Sequence, residues 1–153
     1  MSSSIAWHYT IGIWAETILK DGKLKPTTTG IPPDEKGILW CSTNPYWELT
    51  ANKRAKGLSG EWVTLTMEET AEHWEGLVRF GIPLEKLTTW PLIGQNANMK
   101  SKIRKNLDEV AIRQGANFRE WYGTLKEVSV SECVSIERMN MGTKRWEPYD
   151  TAI

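Results

Sequence analysis

The sequence predicts a single α+β domain. Its 153 residues are 40% hydrophobic and 25% charged, which suits one globular domain with a full core. Strand and helix patterns alternate at first, whereas the C-terminal third holds strand patterns only. No glycine fingerprint follows the first strand, so a doubly wound nucleotide-binding sheet is not expected. We therefore expect one domain over residues 1–153, with residues 139–153 as a loosely packed tail.

The N-terminal elements are read from residue type and spacing. Residues 5–10 are rich in aromatic and β-branched residues, which predicts a first strand. Apolar residues then recur at helical spacing from Ile11, and Gly22 marks the end of this helix. Residues 26–36 contain three Thr, three Pro and one Gly, so we expect a long loop there.

The next elements surround a second apolar run. Residues 37–42 are typical of a buried strand. Asn44 as N-cap and Pro45 at the first helical position predict a short helix through Trp47 to about Asn52. A basic turn over residues 53–57 and a strand over residues 62–66 are expected to follow.

Two helices and three strands complete the prediction. Thr66 and Glu69 match a capping box, which opens a helix expected to carry Val78 on its apolar face and to stop near residues 80–81. A second helix, capped by Asn98, is expected to end at Gly115. The remaining predicted elements are strands over residues 87–90, 120–125 and 128–138.

Composition excludes several classes of function. Nineteen basic and nineteen acidic residues give no net charge, so a global field for nucleic acid is absent. Cys41 and Cys133 lie in apolar runs without metal or disulfide spacing, which favours a reducing, cytoplasmic protein. The N-terminus lacks an apolar signal region, and no apolar run is long enough to span a membrane.

Standard catalytic motifs are also missing. Two histidines without a helical ligand partner do not indicate a metal site. Neither a Gly-x-Ser-x-Gly elbow nor a P-loop is present, so a serine hydrolase or a backbone phosphate cradle is not expected. Nine Trp spread along the chain are expected to lie mainly in the core, with some at pocket walls.

Three short runs carry a family resemblance. They are His8-Tyr9-Thr10, the helix end Ile18-Leu19-Lys20-Asp21-Gly22-Lys23-Leu24, and the strand end Trp40-Cys41-Ser42-Thr43-Asn44. Over residues 5–52 the chain resembles the N-terminal half of the ADP-ribosyltransferase superfamily, including its diphtheria-toxin-like and poly(ADP-ribose) polymerase-like members and the related RNA 2′-phosphotransferases. The resemblance implies a split β-sheet core with flanking helices, NAD as substrate, and a protein or nucleic acid as acceptor.

The resemblance also implies site residues. His8 would bond the nicotinamide-side ribose, while the adjacent backbone at Tyr9 and Thr10 would hold the carboxamide. Ser42, Thr43 and Asn44 would wall the nicotinamide pocket. Tyr46 and Trp47, one turn into the following helix, would offer an aromatic face. Glu120 would be the catalytic carboxylate before a late strand, although Glu127, Glu132 and Glu137 compete for that role.

Other interpretations of these residues stay open. The same fold could bind NAD, ADP-ribose or another nucleotide without reacting it. A Trp-lined carbohydrate- or protein-binding domain is a third hypothesis. His8 could be purely structural, and residues 42–45 could be only a helix cap. The basic face formed by Lys100, Lys102, Arg104 and Lys105 is typical of a solvated surface, and it equally suits nucleic acid or an acidic protein.

Overall fold

A seven-stranded antiparallel sheet forms the centre of the protein, so the predicted α+β class is confirmed. The structure is a computed structural model and describes residues 4–149. The strands are β1 (Ile5–Ile11), β2 (Lys23–Leu24), β3 (Leu39–Ser42), β4 (Arg54–Lys56), β5 (Trp62–Thr64), β6 (Leu77–Pro83), β7 (Thr88–Thr89), β8 (Trp121–Thr124), β9 (Val128–Ser129), β10 (Ser135–Asn140) and β11 (Arg145–Pro148). The helices are α1 (Gly12–Asp21), α2 (Met67–His73), α3 (Leu92–Asn96) and α4 (Ser101–Arg113).

The order of strands in the main sheet is β11-β10-β6-β1-β3-β8-β7. β1 is central and pairs along its whole length with β6, from Ile5 opposite Pro83 to Ile11 opposite Leu77. On its other side, β1 and β3 share only the register pair Trp7 and Ser42. The two strands therefore separate beyond this pair and leave a gap in the sheet.

The buried side chains form three clusters around this sheet. The first includes Ala6, Leu39, Val78, Phe80 and Ile82 and packs against α1 through Ala15. The second joins Tyr9, Trp47, Met67, Leu77 and Met139, and the third joins Ile38, Trp90, Ile93, Ala111 and Trp121. Trp47, Trp90 and Trp121 are thus buried, whereas Trp14 and Trp62 are exposed.

Several predicted elements are confirmed. β1 and β3 lie where the apolar runs place them, and α1 ends before Gly22, whose φ of 78° suits a residue without a side chain. No helix or strand forms within residues 26–36. The capping box at Thr66 and Glu69 is present with both of its hydrogen bonds.

The prediction of a short helix over residues 45–52 was wrong. Only a 3-10 turn over Leu49–Ala51 forms, and Glu48 caps it. Asn44 does accept bonds from the N–H groups of Tyr46 and Trp47, but this turn is not continued into a helix. The predicted basic turn over residues 53–57 is instead strand β4, which pairs with β5 in a hairpin.

The helix opened by Thr66 is shorter than predicted. α2 ends at His73, and Val78 lies in β6 rather than on a helix. Residues 77–82 are buried in succession, as a strand covered on both faces requires. Glu75 and Gly76 adopt positive φ and turn the chain between the two elements.

Three predictions for the C-terminal half also need correction. Asn98 does not cap α4, which begins at Ser101, because Asn98 has a left-handed φ of 65°. The strand predicted over residues 128–138 is interrupted by a 3-10 turn over Val130–Glu132. Of the tail predicted over residues 139–153, the described part through residue 149 is paired into the sheet, since β11 pairs with β10 at its edge. Residues 1–3 and 150–153 lie outside the described residues.

Within residues 4–149, no helix is both long and apolar enough to cross a membrane.

A buried arginine ties the centre of the sheet together. The guanidinium of Arg79 lies 3.7 Å from the ring centroid of Trp7 and 4.5 Å from that of Trp146. Its Nη2 is 2.6 Å from Glu137 Oε1, and its Nη1 donates to the Pro45 carbonyl at 2.6 Å. A buried charge is tolerated when it is paired and hydrogen-bonded in this way.

Replacing this arginine is expected to destabilise the fold strongly. Arg79→Ala leaves Glu137 without its cation and two tryptophans without their partner, so we expect a loss of about 3–5 kcal/mol in the free energy of unfolding. Chemical denaturation monitored by tryptophan fluorescence measures this loss. Lys86→Ala, which breaks the exposed ion pair of Lys86 with Glu132, is the control and should change stability little. Equal losses of stability in the two variants would contradict a structural role of the buried Arg79 charge.

Candidate functional site

A cavity of about 370 Å³ opens where β1 and β3 separate. Residues of β1, of β3 and of the segment after β3 line it, and α4 and β8 contribute the remaining wall. The lining residues are Trp7, His8, Tyr9, Trp40, Cys41, Ser42, Glu48, Thr50, Ala51, Lys53, Leu107, Val110 and Trp121. Its volume is at the lower end of the range of small-molecule sites.

His8 lies in the gap between the two strands. Its Nδ1 is 2.7 Å from the Trp40 carbonyl, which only accepts, so Nδ1 carries the proton. Nε2 is then the unprotonated nitrogen, and it has no hydrogen-bond partner within residues 4–149. Burial lowers the pKa of His8, against the raising effect of the Trp40 bond, and the charge of Lys53 lowers it further. The cavity thus contains a neutral imidazole acceptor.

The end of β3 is fixed by side-chain and backbone bonds. Ser42 is buried and its Oγ accepts from the N–H of Asn44 at 3.1 Å. The Thr43 N–H donates to the Glu120 carbonyl at 2.9 Å, and Asn44 Nδ2 donates to the Glu120 carboxylate at 3.3 Å. Glu120 therefore lies beside the end of β3, next to the lining residue Trp121 but not in the cavity wall.

Glu48 is the carboxylate that lines the cavity. It is only 8% exposed, and its Oε2 accepts from Trp121 Nε1 at 3.2 Å and from the N–H and O–H of Thr50. Its Oε1 has no partner within residues 4–149. Among these residues, Gln114 Oε1 is the one fully enclosed side-chain polar atom without a hydrogen-bond partner. Glu48 Oε1 also has no partner, so it is not fully enclosed and borders open space.

Lys53 gives the cavity a positive group. Its Nζ lies 4.0 Å from the centroid of the Trp14 ring, and it forms no ion pair within residues 4–149. Burial lowers the pKa of Lys53. Glu48 and Lys53 thus line one cavity and form no ion pair with each other.

Aromatic rings form the apolar wall. Trp40 and Trp121 line the cavity, and both pack against Trp90, with centroid separations of 5.5–5.8 Å among the three rings. Trp90 Nε1 donates to Asp108 of α4 at 2.7 Å. Tyr9 donates its O–H to the Asn44 carbonyl, and burial raises its pKa to about 12. Tyr9 therefore acts as an O–H donor that holds the loop after β3 and not as a base.

The structure brings together three of the predicted site residues. His8, Tyr9 and Ser42 line the cavity. Thr10, Thr43, Asn44, Tyr46, Trp47 and Glu120 do not line it. Tyr46 and Trp47 are not one turn into a helix: Tyr46 is exposed, and Trp47 packs its ring edge-on against Tyr9 at 5.2 Å.

Glu48, Thr50 and Lys53 were missed as site residues. Glu48 stands alone among large apolar residues after Pro45, and this pattern indicates a buried acid. Lys53 appeared to belong to a solvated basic run, since no sequence feature distinguishes it from Arg54 or Lys56. Cys41 also lines the cavity, but burial raises the pKa of its thiol, so it is not a thiolate nucleophile.

Comparisons with protein-family models, with curated proteins and with solved structures found no significant match. Within the described part of the chain, no group of three His, Cys, Asp or Glu side chains is placed to hold a metal ion. The function is therefore argued from the cavity.

The lowered pKa of His8 predicts a dependence of stability on pH. The unfolded chain protonates this histidine below about pH 6.5 while the folded protein resists protonation, so stability falls as the pH drops. The loss is at most about 1.4 kcal/mol per pH unit for one proton. His8→Asn, whose amide can still donate to the Trp40 carbonyl, should remove this contribution in denaturation curves between pH 8 and 5. His73→Asn changes the exposed histidine, so it is the control and should leave the pH dependence of stability intact.

Proposed function

We propose that the cavity binds the nicotinamide-ribose end of NAD and that the chain is an NAD-dependent ADP-ribosyltransferase acting on a macromolecular target. The observation that carries this proposal is the meeting of His8 and Ser42 in one cavity, although they lie 34 positions apart in the sequence. A neutral imidazole with a free Nε2 suits a ribose hydroxyl, which donates to it. A cavity of about 370 Å³ suits a ring with its sugar.

The proposal includes the split sheet of the ADP-ribosyltransferase-like fold. Its support is the single register pair between β1 and β3, beside seven residues of continuous pairing between β1 and β6. The His8 side chain bonds the Trp40 carbonyl in the resulting gap. A ligand entering there meets side chains of both strands.

The reaction would break the bond between nicotinamide and the ribose anomeric carbon. Nicotinamide leaves with the bonding electron pair, and an acceptor nucleophile bonds to the same carbon and loses its proton. Positive charge develops on the ribose in between, as in glycoside cleavage, so a fixed carboxylate accelerates the step. We propose Glu120 for this role, because it directly precedes β8 and is held by Asn44 beside the end of β3.

A second candidate function is a binding module of the same fold. It is favoured by one observation, namely that Glu120 does not line the cavity. Such a module would bind NAD or ADP-ribose without releasing nicotinamide. Binding and turnover must therefore be measured separately.

Calorimetric titration with NAD tests the binding step. We expect saturable binding to the wild type, and about fivefold weaker binding or more to His8→Asn, because this variant lacks the Nε2 acceptor. His73→Asn serves as the matched control and should bind as the wild type does. A wild type that shows neither heat nor a thermal shift at millimolar NAD would overturn the proposed function.

Release of nicotinamide tests the transfer step. Glu120→Gln keeps the shape of the side chain and removes its charge, so we expect the release rate to fall by about 10²-fold or more with little change in NAD affinity. Chromatography of the reaction with a cell extract as acceptor source measures this rate. If wild type binds NAD and releases no nicotinamide, the binding-module function holds instead. Normal turnover by Glu120→Gln would exclude this glutamate.

A further inference from the structure

We propose that Glu48 is the specificity-determining residue of the cavity and selects the carboxamide of nicotinamide against a carboxylate at the same ring position. This inference rests on the proposed binding of NAD and deepens it. It assigns a function to a buried acid that the family resemblance does not use.

The cavity lining contains one anionic and one cationic side chain, Glu48 and Lys53. Lys53 and His8 both line the cavity, and Lys53 is its cationic side chain. Glu48 bonds Trp121 and therefore lies at the aromatic wall formed with Trp40. A ligand with an anionic part and a planar ring is expected to direct its anion toward Lys53 and its ring toward this wall.

NAD matches this polarity. Its phosphate oxygens suit Lys53, its ribose hydroxyl suits the free Nε2 of His8, and its ring suits the tryptophan wall. The ring carries a carboxamide whose nitrogen has two N–H donors. One remains for Glu48 even when the other bonds to backbone.

The geometry of Glu48 suits an acceptor for such a donor. Trp121 and Thr50 fix the carboxylate through Oε2, and Oε1 has no partner within residues 4–149, in a side chain that lines the cavity. A fixed and unpaired buried carboxylate gains most from an N–H donor and loses most against a second carboxylate. Nicotinic acid adenine dinucleotide carries that carboxylate in place of the amide, so it should be rejected.

The test compares the affinities of NAD and nicotinic acid adenine dinucleotide by calorimetry. Wild type is expected to prefer NAD by about 100-fold or more, since it gains a bond to a charged group and avoids a like charge. Glu48→Gln can donate to a carboxylate, so its preference should fall to about tenfold or less. The exposed Glu72, changed to Gln, is the matched control and should keep the wild-type preference.

Each outcome bears on the inference. Equal wild-type affinity for the two dinucleotides overturns it while NAD binding stands, and this measurement does not depend on how Glu48→Gln folds. Proportional weakening of both ligands by Glu48→Gln, with the preference kept, overturns it in favour of a structural role. A wild type that binds neither ligand overturns both this inference and the proposed function.

Discussion

The buried charge of Arg79 is the constraint on which the arrangement of the site depends. Arg79 is only 7% exposed, so its guanidinium must find partners for its charge and its N–H groups, and here it takes them from four places. Glu137 comes from β10, Tyr9 from β1, the Pro45 carbonyl from the loop after β3, and the Trp146 ring from β11. The contacts of the Arg79 guanidinium thus join the edge of the sheet to its centre. They also fix the start of the chain segment that carries Glu48.

Side-chain hydrogen bonds explain why the gap between β1 and β3 persists. Separated strands lose backbone hydrogen bonds, which is costly unless other groups replace them. His8 replaces one by donating to the Trp40 carbonyl, while Tyr9 donates to the loop that turns back over the sheet. The gap is therefore held open by side chains, and its polar groups are oriented before any ligand arrives. Such preorganisation reduces the cost of binding.

The two carboxylates near the gap are suited to different tasks. Glu48 is enclosed and held by an indole N–H and by Thr50, so it has one position and one open oxygen. Glu120 lies outside the cavity wall, and its carboxylate accepts one hydrogen bond, from the side-chain amide of Asn44. A rigid acceptor inside the cavity suits ligand recognition, and under the proposed function the carboxylate beside the end of β3 would serve the transfer step. Under the proposed function, ligand recognition and group transfer would therefore fall to different carboxylates.

Local sequence patterns determined the fold class, β1, β3, the end of α1 at Gly22 and the capping box of α2, because each depends on neighbouring residues and on burial of one face. They also singled out His8 and Ser42, which meet in the cavity, although His8 lies in the middle of β1 and not at its end. Tertiary structure decided the rest. Residues 77–80 became strand rather than helix because the centre of the sheet buries them on both faces. Glu48 and Lys53 entered the site because β1 and β3 separate beside them, and strand separation depends on contacts between residues far apart in the chain, which no local pattern contains.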